Sequence, residues 1–253
     1  MRIVYLGNNL TGLNVLKWLV KQNESIVGLA VHPDERAKYK GEMIATSGLE
    51  STQIFDGSRI NRPETVTQIR TFQPDIILSV FFGYRLGSEV LNIPPRGCIN
   101  LHPAYLPFNR GVYPNVWAII DGTPAGVTLH YMDEGFDTGD IIAQKRVSVY
   151  FHDTGESLYH RLEHACVELF KETWPEIKSG KNLRMQQASA GIYHSKGDIA
   201  LIDNIDLEKK YQAKELINIL RARTFYPYRG AFVKVGGKKI FLRLELNEAD
   251  QEK

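Results

Sequence analysis

Short apolar runs alternate along this chain with stretches whose apolar positions recur every three or four residues. RIVYL (2–6) is β-rich and ends at Gly7, after which Leu13, Leu16, Leu19 and Val20 recur at helical spacing, predicting strand, turn and helix in that order. SIVGLAV (25–31) predicts a second strand, TVTQIRTFQ (65–73) a helix stopped by Pro74, and DIILSVF (75–81) a nearly unbroken apolar strand. GCINLHP (97–103) predicts another strand, running into the polar, Pro- and Gly-bearing loop AYLPFNRGVYPN. VWAIIDG (116–122) reads as a short helix, AGVTLHYMD (125–133) and GDIIAQKRVSV (139–149) as strands, and ESLYHRLEHACVELFKETWPEI (156–177) as a long amphipathic helix. Strands alternating with helices imply βαβ units, so the expected class is α/β with a Rossmann-like, mostly parallel twisted sheet.

After Gly180 the pattern changes. KNLRMQQASAGIYHSKGD is irregular and polar, ALID (200–203) reads as a short strand, and Leu216, Ile217 and Leu220 share one helical face between Lys214 and Ala222. FVKVGGKKIFLRLEL then alternates around Gly236-Gly237, the signature of a β-hairpin. The expected organisation is a main domain over 1–180, an irregular connection over 181–204, and a small helix-plus-hairpin subdomain over 205–253 that ends in a frayed tail from Asn247.

Composition narrows the class. The 253 residues are 43% hydrophobic and 24% charged, enough for a full-sized core, and these numbers exclude a disordered or disulfide-built chain. Its 31 basic and 29 acidic residues leave a net charge of +2, too little to expect a nucleic-acid partner. From Asp206 onward 11 basic and 7 acidic residues give a local +4, which suits a solvated appendage, an anion-facing surface or a dimer contact. Cys98 and Cys166 lie in apolar runs without metal-ligand spacing and read as buried thiols of a reducing compartment. No apolar stretch approaches the roughly 18 residues of a membrane span, so a cytoplasmic protein without a membrane partner is expected.

Three segments carry candidate chemistry. Gly7-Asn8-Asn9-Leu10-Thr11-Gly12 sits where a dinucleotide fingerprint would, yet Asn9 replaces the glycine that admits a pyrophosphate. The segment is then either a polar strand-to-helix turn or a contact, through Asn9 and Thr11, to a smaller ligand. In Ile99-Asn100-Leu101-His102-Pro103, residues two apart face the same side of a strand, so the Asn100 amide and the His102 imidazole project together. The carboxyl ends of strands are where open α/β sheets bind ligands, which favours a functional pair, although Asn-x-His can also satisfy loop backbone. The third segment, DEGFDTGD (133–140), places four acids in eight residues; charge repulsion keeps most of them solvated, and the spacing does not match a calcium loop, so no metal is expected.

CINLHPAYLPFNRG, NVWAIIDG and GVTLHYMDEGFDTGDIIAQ together closely resemble the formyltransferase family that uses N10-formyltetrahydrofolate, and the match spans roughly residues 1–180. The resemblance implies that Asn100, His102 and Asp137 are the catalytic trio. It also implies that the strand and loop DIILSVFFGYRLG hold the folate pterin near Phe82, Gly83, Tyr84, Arg85 and Leu86, with Asp133 and Asp140 of the acidic loop alongside. Within the family, LPFNRGVYPNVW and LRARTFYPYRGAFVKVGGKKI are most similar to the sugar N-formyltransferases, which formylate a nucleotide-linked dideoxy aminosugar. That likeness implies the 3- or 4-amino group of a dTDP-linked dideoxy aminosugar as acceptor, with dTDP-4-amino-4,6-dideoxyglucose favoured, a role in surface polysaccharide synthesis, and a homodimer built on the C-terminal subdomain. Methionyl-tRNA and glycinamide ribonucleotide formyltransferases, and a non-catalytic binding module, are the alternatives. The acceptor is expected at Asn109, Arg110 and Tyr113, where Arg110 can fork onto a phosphate, and at Phe225 and Tyr226, suited to stacking on a base. The competing reading makes Arg110 a turn residue and the aromatics hairpin core. Whether His102 acts as base or as oxyanion donor is open at this level.

Overall fold

Seven strands form the central sheet in the order β3-β2-β1-β4-β5-β7-β8. They are β1 (Arg2–Gly7), β2 (Ser25–Val31), β3 (Ile54–Asp56), β4 (Ile76–Val80), β5 (Cys98–His102), β7 (Ala125–Tyr131) and β8 (Ile141–Val147), while β6 (Arg110–Gly111) lies outside this sheet. The helices are α1 (Asn9–Lys21), α2 (Lys40–Ser47), α3 (Pro63–Thr71), α4 (Ser88–Leu91), α5 (Pro114–Ile120), α6 (Gly155–Ser179), α7 (Asp198–Asp203) and α8 (Ala213–Ala222). Three late strands complete the chain: β9 (Tyr193–His194), β10 (Phe232–Val235) and β11 (Lys238–Phe241). The computed structural model describes residues 1–187 and 191–248, and the tail expected from Asn247 lies outside the described residues from 249 onward. The chain divides into two compact units, one of residues 1–102, 128–144 and 166–187, the other of residues 103–127, 145–165 and the described residues from 191.

In the first unit β3, β2, β1, β4 and β5 run parallel, and β7 pairs antiparallel with β5. All five residues of β4 are buried, the mark of a strand covered on both faces, which is why its sequence is apolar without alternation. α1 covers the sheet with Leu13, Leu16 and Leu19, all buried at helical spacing. α3 opens on Pro63, whose missing N–H costs nothing in a first turn. At its other end Arg2 donates from Nε (2.9 Å) and Nη2 (2.6 Å) to the Phe72 carbonyl, satisfying backbone that the last turn leaves unpaired. The core joins Val4, Leu6, Ala30, Ile69, Ile77 and Val90, each valine, leucine or isoleucine side chain contributing about 1.5–3 kcal/mol by its burial. Cys98 belongs to this core, where burial pushes its thiol up to about 12 and leaves it unreactive at neutral pH.

The second unit contains the hairpin. Gly236 and Gly237, at φ 55° and 75°, form its turn; positive φ at both central residues is what a two-residue turn between right-twisted strands requires. The register pairs Phe232 with Phe241 and Val233 with Ile240. Val233 and Ala231 pack on Ile219 of α8 and on Ile205, a small separate core. The Asp153 carboxylate, itself buried, accepts from both terminal nitrogens of Arg161 (2.7 and 2.8 Å), from Ser157 Oγ (2.9 Å) and from the Tyr150 amide (2.6 Å). Arg221 of α8 donates to the carbonyls of Tyr150 and Asp153, both at 3.0 Å.

One expected element has the wrong type. ALID falls in α7, a helix, because the Asp198 carboxylate accepts the Ser195 amide at 2.7 Å and closes a turn there, with Ile199 buried and Leu201 exposed. Among the described residues, no helix is long and apolar enough to cross a membrane.

Candidate active site

β5 ends at His102, and Asn100 lies directly opposite His130 across the antiparallel pairing with β7. Directly opposed residues project from the same face, so three polar side chains share one patch at the carboxyl end of the parallel strands. The loop after β7 then turns back on them. Asp137 sits at φ 54°, in the left-handed region, a strained setting for a residue that carries a Cβ, though Asp tolerates it better than most. Its Oδ1 lies 3.7 Å from His102 Nδ1, 3.6 Å from His130 Nε2 and 3.4 Å from Asn100 Nδ2. A single carboxylate oxygen thus faces two imidazoles and one amide, and these expected trio residues are brought together. Asn100 is half-buried and His102 is buried, so a reacting group here is largely removed from solvent.

His130 is the member the sequence reading missed. Its Nδ1 lies 2.8 Å from the Tyr131 carbonyl, which can only accept, so Nδ1 carries the proton and Nε2 offers its lone pair to the Asn100 amide at 3.2 Å. Period-two spacing along GVTLHYMD would put His130 on the face of Thr128, but only the strand register places it opposite Asn100.

The acidic loop is braced from within. Asp133 Oδ1 accepts from Thr138 Oγ1 (2.6 Å) and the Gly135 amide (3.0 Å), and Asp140 pairs with Arg184 Nε at 3.2 Å. At Gly139 a Cβ would run into the Tyr131 carbonyl, which explains the glycine of Asp-Thr-Gly-Asp. Of the residues expected at the pterin, Phe82 and Leu86 bury their side chains in the core and offer only backbone to a ligand, while Gly83 takes φ 70°. Arg85 donates to the Glu134 carbonyl and stacks 5.0 Å above the Phe136 ring, joining this loop to the acidic one. Tyr84 lies 4.7 Å from the ring of His32, a second residue missed in the sequence. His32 Nε2 donates to the Phe82 carbonyl and Nδ1 accepts from the Asn8 amide at 3.3 Å, so the ring ties together the loops after β1, β2 and β4. Burial holds this imidazole below its ordinary value. In the neighbouring turn Asn9 is half-buried at φ 62° and Thr11 is 1% exposed in the first turn of α1.

The remaining expected residues belong to the second unit. Asn109, at φ 55° and buried, donates to Thr123 Oγ1 at 2.8 Å; Arg110 pairs with Tyr193 between β6 and β9; Tyr113, at φ 58°, caps α5 and is exposed. Beside them Trp117 stacks on His194 with 3.9 Å between ring centroids, and His194 Nε2 meets Asp121 Oδ2 at 3.0 Å. Phe225 packs against Tyr159 and Tyr228, whereas Tyr226 stays 68% exposed. Phe225 therefore fits the packing reading, and Tyr226 keeps a free face. Among the described residues no group of three or more His, Cys, Asp or Glu is arranged to hold a metal ion.

Residues 1–173 match the family described as formyl transferase, and residues 198–248 match the N-formyltransferase dimerization C-terminal domain. The methionyl-tRNA formyltransferase of Clostridioides difficile is 31% identical over 252 residues, covering 95% of this chain and 81% of that one. A 4-N formyltransferase from Francisella tularensis superposes with a TM-score of 0.85 at 29% identity, covering 98% of both chains. A formyltransferase from Anoxybacillus kamchatkensis, solved with UDP-4,6-dideoxy-4-formamido-L-AltNAc and tetrahydrofolate, superposes with a TM-score of 0.57 at 28% identity over 79% of this chain and 89% of that one.

Proposed function

Because the chain belongs to the formyl transferase family, we propose that it moves the formyl group of N10-formyltetrahydrofolate onto the amine of a nucleotide-linked dideoxy aminosugar, with the dTDP-linked 4-amino-4,6-dideoxyglucose as favoured acceptor. The observation that carries the proposal is the convergence of Asn100, His102 and His130 on one oxygen of Asp137. The neutral amine attacks the formyl carbon, the C=O bond opens to an oxyanion, the C–N10 bond breaks, and the proton lost by the amine is delivered to N10. The Asn100 N–H that faces Asp137 across 3.4 Å is the more weakly held of its contacts and turns to the developing oxyanion. His102 either accepts the amine proton or adds a second donor to that oxygen, and Asp137 stabilises whichever cationic form arises. Enclosing amine and formyl donor together supplies the rest, since well-oriented intramolecular reactions reach effective concentrations of about 10⁵–10⁸ M.

The sugar acceptor is supported by the Anoxybacillus kamchatkensis enzyme, solved with a nucleotide-linked formamido sugar, and by a net charge of +2, too small for a surface that grips RNA. Identity to methionyl-tRNA formyltransferases favours a second reading, with an aminoacyl-tRNA as acceptor. We read 1–180 as the transfer domain, 181–204 as its connection, and 205–253 as the subdomain that pairs two copies, in line with the dimerization profile. The polar Arg110–Tyr113 turn and the exposed Tyr226 are our acceptor contacts, and backbone of 82–86 our pterin contact. Reduced thiols and a folate co-substrate suit a cytoplasmic enzyme serving surface polysaccharide synthesis. The test incubates the protein with N10-formyltetrahydrofolate and a panel of nucleotide aminosugars, with formyl-accepting methionyl-tRNA in parallel. The sugar product gains a formyl mass increment, and His102→Ala and Asn100→Ala each lower its rate, Asn100→Ala by about 10²–10³. Formylation of the tRNA alone selects the second reading, and no formylation of either sinks both.

A further inference from the structure

We propose that Gln187 is a positioning residue for Asp137, fixing the backbone that aims the catalytic carboxylate. The inference rests on the reading that Asp137 acts with His102. Gln187 belongs to the irregular connection after α6, a segment whose sequence pattern points to no role. In the structure this segment lies along the acidic loop. Ile141 and Met185 exchange both backbone hydrogen bonds, at 2.8 and 2.9 Å, and Arg184 pairs with Asp140 while its guanidinium sits 4.0 Å above the Tyr131 ring. That bridge delivers the Gln187 side chain to the turn. Its Nε2 donates to the Asp137 carbonyl at 2.8 Å and to the Gly139 carbonyl at 2.7 Å, so one amide bridges both sides of Thr138.

The placement matters because Asp137 holds φ 54°. A left-handed φ is a strained setting for a residue that carries a Cβ, and it persists where the surroundings hold it. The side-chain direction follows from that backbone: relaxation to a negative φ would swing the carboxylate away from His102 Nδ1, 3.7 Å from it now. Thr138 is held by Asp133 and Gly139 is confined by the Tyr131 carbonyl, but neither contact grips the Asp137 peptide itself. Among the described contacts the Gln187 amide grips that carbonyl directly.

The experiment is a double-mutant cycle in the formyl-transfer assay, using Gln187→Ala, Asp137→Asn and both together. Gln187→Glu, which keeps the shape but has no N–H to donate, serves as a second variant. If Gln187 acts through Asp137, Gln187→Ala and Gln187→Glu lower kcat about 10–100-fold with KM for both substrates unchanged. On the Asp137→Asn background the same change then costs almost nothing more. Amide hydrogen exchange at Thr138 and Gly139 quickens in Gln187→Ala, while the thermal midpoint stays close to that of the parent. The inference is overturned if Gln187→Ala leaves kcat unchanged although Asp137→Asn lowers it, or if its cost is undiminished on the Asp137→Asn background. If Asp137→Asn is itself harmless, the catalytic reading of Asp137 fails and the inference with it, whatever the exchange rates show.

Discussion

An asparagine amide has two N–H bonds to place, and at Asn100 both have partners before any substrate arrives: His130 Nε2 at 3.2 Å and Asp137 at 3.4 Å. The shorter contact depends on His130 presenting a lone pair, which follows from its other nitrogen donating to the Tyr131 carbonyl. Replacing His130 with Ala therefore frees the amide to rotate. We expect a kcat loss of about 10–100-fold with the fold intact, measured in the formyl-transfer assay beside a circular dichroism spectrum; an unchanged kcat would mean the amide is oriented by other contacts. A second residue-scale expectation concerns acid. The neutral His32 donates to Phe82 and accepts from Asn8, and its affinity for a proton is depressed by burial. As pH falls below about 6.5 the unfolded chain takes up a proton that the folded ring refuses, so stability present above that pH declines toward the lower folded value. His32→Gln keeps both a donor and an acceptor, and the acid-side decline in melting temperature should become shallower; an equal slope would clear His32 of the effect. At this scale the sequence shows Asn100 and His102 together because alternation is local. It hides His130, His32 and Gln187, because each depends on pairing between segments distant along the chain, and strand register or loop docking leaves no local signal.

Elements were legible where the hydrophobic period was long. Every sheet strand except the three-residue β3, together with α1, α6, α8 and the glycine-turn hairpin, follows from apolar runs, helical stripes or the Gly-Gly pair. Short elements held by a few hydrogen bonds were not. α4 spans four residues, β9 two, and α7 is decided by one carboxylate, that of Asp198, whose choice between helix and strand no pattern of four residues could settle. The loop between β8 and α6 is likewise held by polar contacts. Asp153 is buried, yet its hydrogen bonds to Arg161 and the Tyr150 amide outweigh that burial and hold its carboxyl below the usual range. Asp153→Asn keeps the volume and removes the charge that two arginines surround. Losing charge-assisted hydrogen bonds costs about 1.5–3 kcal/mol each, so a drop of several degrees in melting temperature is expected by calorimetry. The parent's contribution from this group is complete above about pH 4 and fades as pH falls through the depressed folded value, so the gap between variant and parent should narrow in strong acid. A gap that stays constant down to that acid would assign the loss to shape instead of charge.

For the whole molecule, the question is what covers the hairpin. Val233 faces the small core of Ile205 and Ile219, but its cross-strand partner Ile240 is 49% exposed, and Val235 on the same face of the sheet is 50% exposed. All four residues of β11 are exposed, and a two-stranded sheet leaves an edge whose backbone groups look for partners. Lys234, Lys238 and Lys239 stand beside this apolar strip and discourage indiscriminate edge pairing while permitting a specific, symmetric one. We propose a second copy of this chain as the occupant, in line with the match of residues 198–248 to an N-formyltransferase dimerization C-terminal domain. A twofold contact uses the same patch twice, so one substitution acts on both sides of it. Ile240→Lys adds two buried charges to the dimer and none to the monomer core, because Ile240 is already half exposed in the single chain. Sedimentation velocity at micromolar concentration should then show a dimer for the parent and a shift toward monomer for Ile240→Lys, with the monomer's far-ultraviolet spectrum unchanged. If the parent already sediments as a monomer, the strip is exposed for another purpose. If Ile240→Lys remains a dimer, the contact lies elsewhere on the subdomain.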